Sequence, residues 1–293
     1  MTKLVAGVTG GARGIGKAYA EALVQRGYCV VIFDIVGAIE LSAVINTPAT
    51  FTGYDCDCSD ATTFRSAFEA GLKYFQVTSY TVFVCNAGIV RSLFSEAERQ
   101  IQVNLIGAIH GVEMAIKVAT DGFQHPAPSP NGLNVIVTAS TNGIVPADSD
   151  LAPIYVATKF ALVGLVRSLK PLSSRYAVRV NAVAPVTVET PMVADMLPPE
   201  ARAFLDREGR GGVMAPERCA AALLHILDTP SLSGDVVVVH PNAPGGTGFA
   251  VEPLIASSWL GAWRADESTE VATFVDEGLQ AASTGDMPAW SGI

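Results

Sequence analysis

Tyr155 and Lys159 stand four residues apart in Ile154-Tyr155-Val156-Ala157-Thr158-Lys159, a spacing that puts a phenol and an ammonium on one face of a helix. Such a pair can move a proton. A free phenol ionises only near pH ~10, so a fixed positive charge beside it is what would let a phenolate act as a general base near neutrality. Alone, the spacing also describes an ordinary partly exposed helix pair, so its meaning depends on the elements that bring it to a reactant.

The first such element is Leu4-Val5-Ala6-Gly7-Val8-Thr9-Gly10-Gly11-Ala12-Arg13-Gly14-Ile15-Gly16, an apolar strand running into a glycine-rich turn and a helix that ends near Gly27. Gly10 permits a tight turn, Gly14 lets the backbone approach a diphosphate, and Gly16 lets the helix pack close to the strand. The helix N-terminus, with Ile15 in its first turn, offers unpaired N–H groups to the anion. Strand before and helix after separate this pattern from a flexible glycine turn. Asp34 closes the second apolar run, 18 residues after Gly16. There a carboxylate can accept hydrogen bonds from both adenosine ribose hydroxyls and would repel a 2'-phosphate, which favours NAD over NADP. Arg13, in the glycine turn, is either a partner for that phosphate or a solvated side chain.

Five signatures follow one another along residues 1 to about 240: the Thr-Gly-x-x-x-Gly-x-Gly turn; Cys85-Asn86-Ala87-Gly88 after an apolar strand; Val103-Asn104-Leu105; Ser140 after the strand Leu133 to Ala139; and Tyr155 with Lys159. Together they resemble the short-chain dehydrogenase/reductase superfamily. The short interval from Asn86 to Asn104, and Val163-Gly164-Leu165-Val166-Arg167-Ser168 after Lys159, are similar to its 15-hydroxyprostaglandin dehydrogenase-like and insect alcohol dehydrogenase-like members.

The resemblance implies roles. Tyr155 would exchange a proton with a substrate hydroxyl or carbonyl, Lys159 would hold the nicotinamide ribose and depress the tyrosine pKa, and Ser140 would hydrogen-bond the substrate oxygen. Asn104 would kink its helix and anchor a water that links the lysine to solvent; read by itself it is equally a satisfied polar residue on a buried helix. On the cofactor side the resemblance adds Asp57 and Cys58 at the adenine. Asn86, Ala87, Gly88, Pro185, Val188 by its backbone, and Thr190 of Thr190-Pro191-Met192 are implied further along the dinucleotide.

Three departures stand out. Ser140 lies two residues farther from Tyr155 than the family spacing, which places an insertion in the Pro146 to Pro153 loop and leaves Thr141 as the alternative. Val186 follows Pro185 where the family has glycine, so a Cβ intrudes near the nicotinamide. Cys85 replaces an asparagine.

Composition bounds the rest. With 293 residues, 49 % of them hydrophobic and 16 % charged, the chain can bury a large core as one α/β domain. A net charge of −9 argues against nucleic acid or an anionic membrane as partner. The opening Met1-Thr2-Lys3 leads at once into a strand, and no apolar run reaches the roughly 18 residues of a membrane span, so a cytoplasmic location is expected. The five cysteines suggest no disulfide framework. Cys56-Asp57-Cys58 lacks a second ligand pair at zinc spacing, and His110, His125, His225 and His240 are scattered, so no metal is expected.

Apolar runs at Leu4 to Val8, Cys29 to Asp34, near Phe51, Thr81 to Cys85, Leu133 to Ala139, Val178 to Ala184 and Asp235 to His240 alternate with helical patterns. Near-continuous apolar strands between helices predict an α/β fold, a doubly wound (Rossmann) parallel sheet. The family resemblance sets its number at about seven strands and its order at 3-2-1-4-5-6-7. Asp60 reads as an N-cap, and Asp121 to Gly132 as a proline-broken loop.

The catalytic domain is taken as 1–240 with a substrate lid at about 188–215, and 241–293 as a C-terminal extension. Its Trp259, Trp263 and Trp290 suggest docking on the body or on a neighbouring subunit, a frayed end being the alternative for the last dozen residues. Met192, Met196, Leu197, Phe204 and Leu205 in the lid suggest an apolar substrate touched by Met192 and Met196, although a plain amphipathic surface helix has the same pattern. The expectation is therefore an NAD-dependent enzyme interconverting a secondary alcohol and a ketone, a homodimer or homotetramer. The alternatives are a non-redox cyclase or isomerase on the same scaffold, motivated by Val186 and the tail, and a redox-sensing binding protein, disfavoured by the presence of Ser140, Tyr155 and Lys159.

Overall fold

The computed structural model describes residues 3–35, 37, 50–125, 132–145, 152–196, 213–240 and 249–252. The apolar runs form β1 (Val5–Thr9), β2 (Cys29–Asp34), β3 (Phe51–Asp55), β4 (Val82–Cys85), β5 (Leu133–Thr138), β6 (Val178–Pro185) and β7 (Val236–Val239). All seven are parallel and in the expected order. An eighth strand, β8 (Phe249–Glu252), pairs antiparallel with β7 and completes the order β3-β2-β1-β4-β5-β6-β7-β8. The sheet thus takes in residues from the stretch assigned to the extension. The compact unit that holds it runs from Met1 to Glu252; Trp259, Trp263 and Trp290 lie outside the described residues, as do positions 126–131 of the proline-rich loop.

Side chains alternate across the sheet with the strand period of two, so each strand feeds two cores. In β2, Val31 and Phe33 point to the face covered by α2 (Ala61–Phe75), α4 (Gly107–Ala119) and α5 (Pro153–Ser168), whose set between α2 and α4 also contains α3 (Ala97–Ile101). Val30 and Ile32 point to the face covered by α1 (Gly14–Gln25) and by a later helix at Glu217–Asp228. Two short helices, α6 (Leu172–Tyr176) and α7 (Pro191–Met196), precede that last helix, α8. Burial on both faces is why the strands read as unbroken apolar runs. Asp60 caps α2 as expected, accepting from the backbone N–H of Thr62 at 2.8 Å and of Thr63 at 3.0 Å. All five cysteines are buried thiols, none of them joined in a disulfide. No described helix is long and apolar enough to cross a membrane.

The topology places the ends of the strands for use. Thr9-Gly10, Asp34, Asn86, Ser140 and Pro185 all lie at or just past the carboxyl ends of parallel strands, and chain order reverses between β1 and β4. A crevice at that reversal is where open α/β sheets bind ligands.

Beneath this edge, Phe83 is fully buried among Phe33, Phe64, Phe68 and Tyr80, with ring centroids 5.2–6.4 Å apart. Phe83→Ala is expected to cost about 3–5 kcal/mol, measured as a lowered midpoint of urea unfolding; a loss below ~1 kcal/mol would show that the cluster does not support the sheet.

Candidate active site

The glycine turn is built by close approach. Gly10 adopts φ +62°, and a Cβ there would sit 2.9 Å from the Ala87 backbone. At Gly16 a Cβ would fall 2.0 Å from the Gly10 carbonyl oxygen, so only glycine lets α1 begin against the turn. Gly14 faces the Thr190 methyl, 3.1 Å from the position a Cβ would take. Ile15 packs on the core beneath, and the Arg13 side chain is exposed. Asp34 is buried, and its carboxylate accepts from the Ala12 N–H at 3.0 Å and from the Ile35 N–H at 2.8 Å. The end of β2 and the glycine turn are therefore one unit.

Thr9 was missing from the sequence-predicted site. Its hydroxyl accepts from the N–H of Asn86 at 2.9 Å and of Ala87 at 3.1 Å and donates to the Val84 carbonyl at 3.4 Å, stitching β1 to the segment after β4. Its place just before the glycine turn was the available signal. Asn86 continues the stitch, its Nδ2 donating to the Gly10 carbonyl at 3.1 Å. Gly88 lies beside Asn104 and Lys159, with a hypothetical Cβ 3.9 Å from the lysine Nζ.

Asp57 also has a partner that spacing did not reveal. Arg99 Nη2 donates to its carboxylate at 2.6 Å, as do the Ser59 hydroxyl at 2.6 Å and the Ser59 N–H at 2.9 Å. Burial pushes the Asp57 carboxyl up, but hydrogen bonds from Ser59 and Arg99 outweigh it and hold the pKa below its ordinary value. The neighbouring Cys58 is buried and its thiol is pushed up to about 12, by burial first and then by Asp57. Among the described residues no group of three or more His, Cys, Asp or Glu side chains could hold a metal.

Asn104 sits in a π-helical turn, Gln102–Ile106, between α3 and α4. Its side chain is fully buried, accepting from the Ile89 N–H at 2.7 Å and donating to the Ile89 carbonyl at 2.8 Å and to the Thr158 hydroxyl at 3.4 Å. Thr158 in turn donates to the Tyr155 carbonyl at 2.7 Å. The widened turn thereby joins the segment after Gly88 to the helix that carries Tyr155 and Lys159.

Ser140 keeps its place in spite of the longer interval. It caps a single 3-10 turn, Thr141–Gly143, accepting from the Asn142 N–H at 3.2 Å, and its hydroxyl lies 3.4 Å from the Pro185 carbonyl, which Thr141 also approaches at 3.4 Å. Burial raises the Tyr155 pKa, and a hydrogen bond from Ser140 partly opposes that. The Ser140 hydroxyl therefore lies close to the phenol. The Lys159 Nζ lies 5.4 Å from the centroid of the Tyr155 ring and donates to the Thr138 carbonyl at 2.7 Å.

The expectation that Lys159 depresses the tyrosine pKa differs from what these contacts give. The ammonium is aimed at a carbonyl from over the ring, and burial dominates both groups: the phenol is raised, and the lysine is lowered from 10.5 to about 8.

Val186 carries no strain. Its φ is not positive, and its N–H reaches the Val239 carbonyl at 3.1 Å, so the backbone after Pro185 continues the sheet pairing without needing glycine. Val188 is buried and forms an isolated parallel bridge with Met214. Thr190 starts α7, its hydroxyl accepting from the Val193 N–H at 3.3 Å. Met192 is exposed at the surface of α7, while the side chain of Met196 and residues 197–212, Leu197, Phe204 and Leu205 among them, lie outside the described residues.

A doubly wound sheet with a glycine turn, a buried carboxylate at the end of β2 and a Ser-Tyr-Lys set defines a class. The short chain dehydrogenase family model matches residues 4–201, and the chain belongs to this short-chain dehydrogenase/reductase family of oxidoreductases. It is 26 % identical over 250 residues to 15-hydroxyprostaglandin dehydrogenase [NAD(+)] of Bos taurus, covering 80 % of this chain and 90 % of that one. It is 31 % identical over 238 residues to the 4-formylbenzenesulfonate dehydrogenase of Comamonas testosteroni, covering 76 % and 90 %. Among solved structures, levodione reductase superposes with a TM-score of 0.71 at 25 % identity over 82 % of this chain and 97 % of that one. The NADH complex of 3-ketoacyl-(acyl-carrier-protein) reductase from Brucella melitensis shares the fold, with a TM-score of 0.70 at 24 % identity over 82 % and 97 %.

Lys159 makes a prediction about stability. Its folded pKa of about 8 lies below the unfolded 10.5, so burial of the charge costs stability fully below pH 8 and not at all above pH 10.5. Lys159→Met is expected to raise the melting temperature at pH 7, by up to about 3 kcal/mol of stability, with the gain shrinking as pH rises from 8 to 10.5. Melts across that range that show no gain at pH 7 would contradict it.

Proposed function

We propose that the protein is an NAD-dependent oxidoreductase that interconverts a secondary alcohol and a ketone on a fairly apolar small molecule, with Tyr155 as general acid and base. The observation that carries this reading is that a buried Ser140, Tyr155 and a buried Lys159 stand together, the lysine Nζ 5.4 Å from the centroid of the tyrosine ring, at the sheet edge that also bears the glycine turn. The residues present suit the dinucleotide. Gly10 leaves its turn open where a Cβ would strike the Ala87 backbone, and Gly14, Ile15 and Gly16 bring the start of α1 to that turn, a cradle for a diphosphate with Arg13 at its rim. Asp34 would take the adenosine ribose, and a 2'-phosphate there would meet a buried carboxylate. The NAD(+) in the name of the Bos taurus relative agrees. Asp57 and Cys58 would flank the adenine. Asn86, Ala87, Gly88, Pro185, Val188 and Thr190 would line the nicotinamide end, and Lys159 and Tyr155 would meet its ribose.

NAD, when bound, supplies or removes the hydride. The chain's own groups handle the proton and hold the oxygen. In the reducing direction the raised pKa of Tyr155 keeps its phenol protonated at neutral pH, ready to give a proton to the carbonyl oxygen that Ser140 holds. In the oxidising direction Tyr155 must first lose that proton, so oxidation should rise towards alkaline pH. Lys159 and Asn104 would carry the proton away towards solvent. Met192 and Met196 would contact the apolar part of the substrate, and α4 and α5 would pair copies into a homodimer or homotetramer.

A cyclase or isomerase reading rested on Val186, whose backbone is ordinary, and on a tail outside the described residues. It therefore serves as an outcome of the test. NADH absorbance should change with a panel of apolar secondary alcohols and ketones, and Tyr155→Phe should lower turnover by about 10²–10⁴-fold. Unchanged turnover in that variant removes the tyrosine mechanism, and product from an added polyene or enol without any redox change selects the cyclase. Asp34→Ala is expected to shift the NAD/NADP preference towards NADP by about tenfold or more; an unaltered ratio of kcat/KM values would discredit the role given to Asp34.

A further inference from the structure

Thr138 ends β5 and none of the motifs points to it, yet its two oxygens face two different parts of the site. The backbone oxygen accepts the Lys159 Nζ at 2.7 Å. The hydroxyl donates to Asn86 Oδ1 at 3.1 Å, and Asn86 Nδ2 donates to the Gly10 carbonyl at 3.1 Å. An amide side chain has an accepting and a donating end, and its neighbours decide which way it faces. Here the single hydrogen of Thr138 fixes the oxygen end, which turns the NH₂ end onto the glycine turn.

We propose that Thr138 is a positioning residue that couples the nucleotide turn to Lys159: its hydroxyl orients the Asn86 amide, and through it the Gly10 carbonyl, while its carbonyl holds the lysine Nζ. The two halves separate under substitution. Thr138→Val keeps the shape and the carbonyl but removes the hydrogen that orients Asn86, leaving the amide free to turn its oxygen towards the Gly10 oxygen. Thr138→Ser restores that hydrogen.

The experiment has one arm that rests on the NAD reading and one that does not. NADH affinity is titrated by fluorescence, and hydrogen exchange is followed by mass spectrometry on the peptide spanning Val8 to Lys17. Thr138→Val is expected to weaken NADH binding by about tenfold, to speed exchange at the glycine turn, and to leave the pH profile of turnover where the wild type has it. Thr138→Ser should recover both affinity and exchange. Combined with Asn86→Ala, Thr138→Val should add no further loss, because the hydroxyl acts through that amide.

Wild-type exchange at the turn in Thr138→Val overturns the proposal. A serine variant as impaired as the valine variant does so too, since side-chain shape would then be the cause, and so do additive losses with Asn86→Ala. A wild type that does not bind NADH, but whose turn responds to Thr138→Val and recovers with serine, would sink the NAD reading and leave the coupling standing.

Discussion

An ammonium buried against one carbonyl is the constraint around which this protein's sheet edge is arranged. Lys159 is almost completely enclosed, and its ammonium donates to the Thr138 oxygen. Burying a charged group with so little compensation is unfavourable, which is why its pKa falls to about 8. The surrounding fold must offset that cost. It does so with a core filled on both faces of the sheet and with aromatic packing around Phe83 directly beneath. Burial acts on the neighbouring phenol by the same route, disfavouring its charged form and raising the Tyr155 pKa.

The segments that lead off the strands would otherwise be free to wander, and short polar side chains restrain them. Thr9 holds the start of the segment after β4 through two N–H groups, and Asn104 holds Ile89 through both of its backbone groups. One helical turn before Asn104, the fully buried Gln100 accepts from the Arg91 N–H at 3.1 Å and donates to the Ser95 carbonyl at 3.0 Å. Two amides four residues apart thus grip one segment at three points. That grip accommodates the left-handed backbone of Leu93, φ +48°, and Glu96, φ +50°, conformations that cost L-residues free energy unless neighbours fix them. Buried amides work here because each has a donor and an acceptor to satisfy.

Much of this arrangement can be read from residue order, and the parts that cannot have physical reasons. The seven parallel strands are legible because burial on both faces leaves them unbroken apolar runs, and Asp60 is legible because a cap is a local event. The strand β8 is not: Phe-Ala-Val-Glu is four residues long, follows a proline- and glycine-rich stretch, and owes its state to pairing with β7. Arg99 reaches Asp57 across 42 residues, a distance over which spacing carries no signal. The Lys159 effect on Tyr155 was expected from proximity along a helix. Proximity fixes a common face, whereas the direction of the ammonium is set by a carbonyl from another strand. Val186 stands where the family has glycine, and its backbone pairs with β7 in an ordinary conformation, so the sheet itself does not require glycine there.

The stretch expected to form a substrate lid shows why specificity is harder to read than chemistry. Its described ends are fastened to the body. Met214 donates its N–H to the Thr187 carbonyl at 3.0 Å and accepts from the Glu189 N–H at 2.7 Å, Val188 and Met214 are both buried, and Thr190 packs against Gly14. These contacts are backbone pairing and core burial, so they do not depend on the substrate. Residues that hold the oxygen and the proton must keep distances set by the sheet, and so leave a pattern in the sequence. Residues that meet an apolar substrate need only be apolar and of suitable size, a requirement that many sequences, and any amphipathic surface helix, meet equally well.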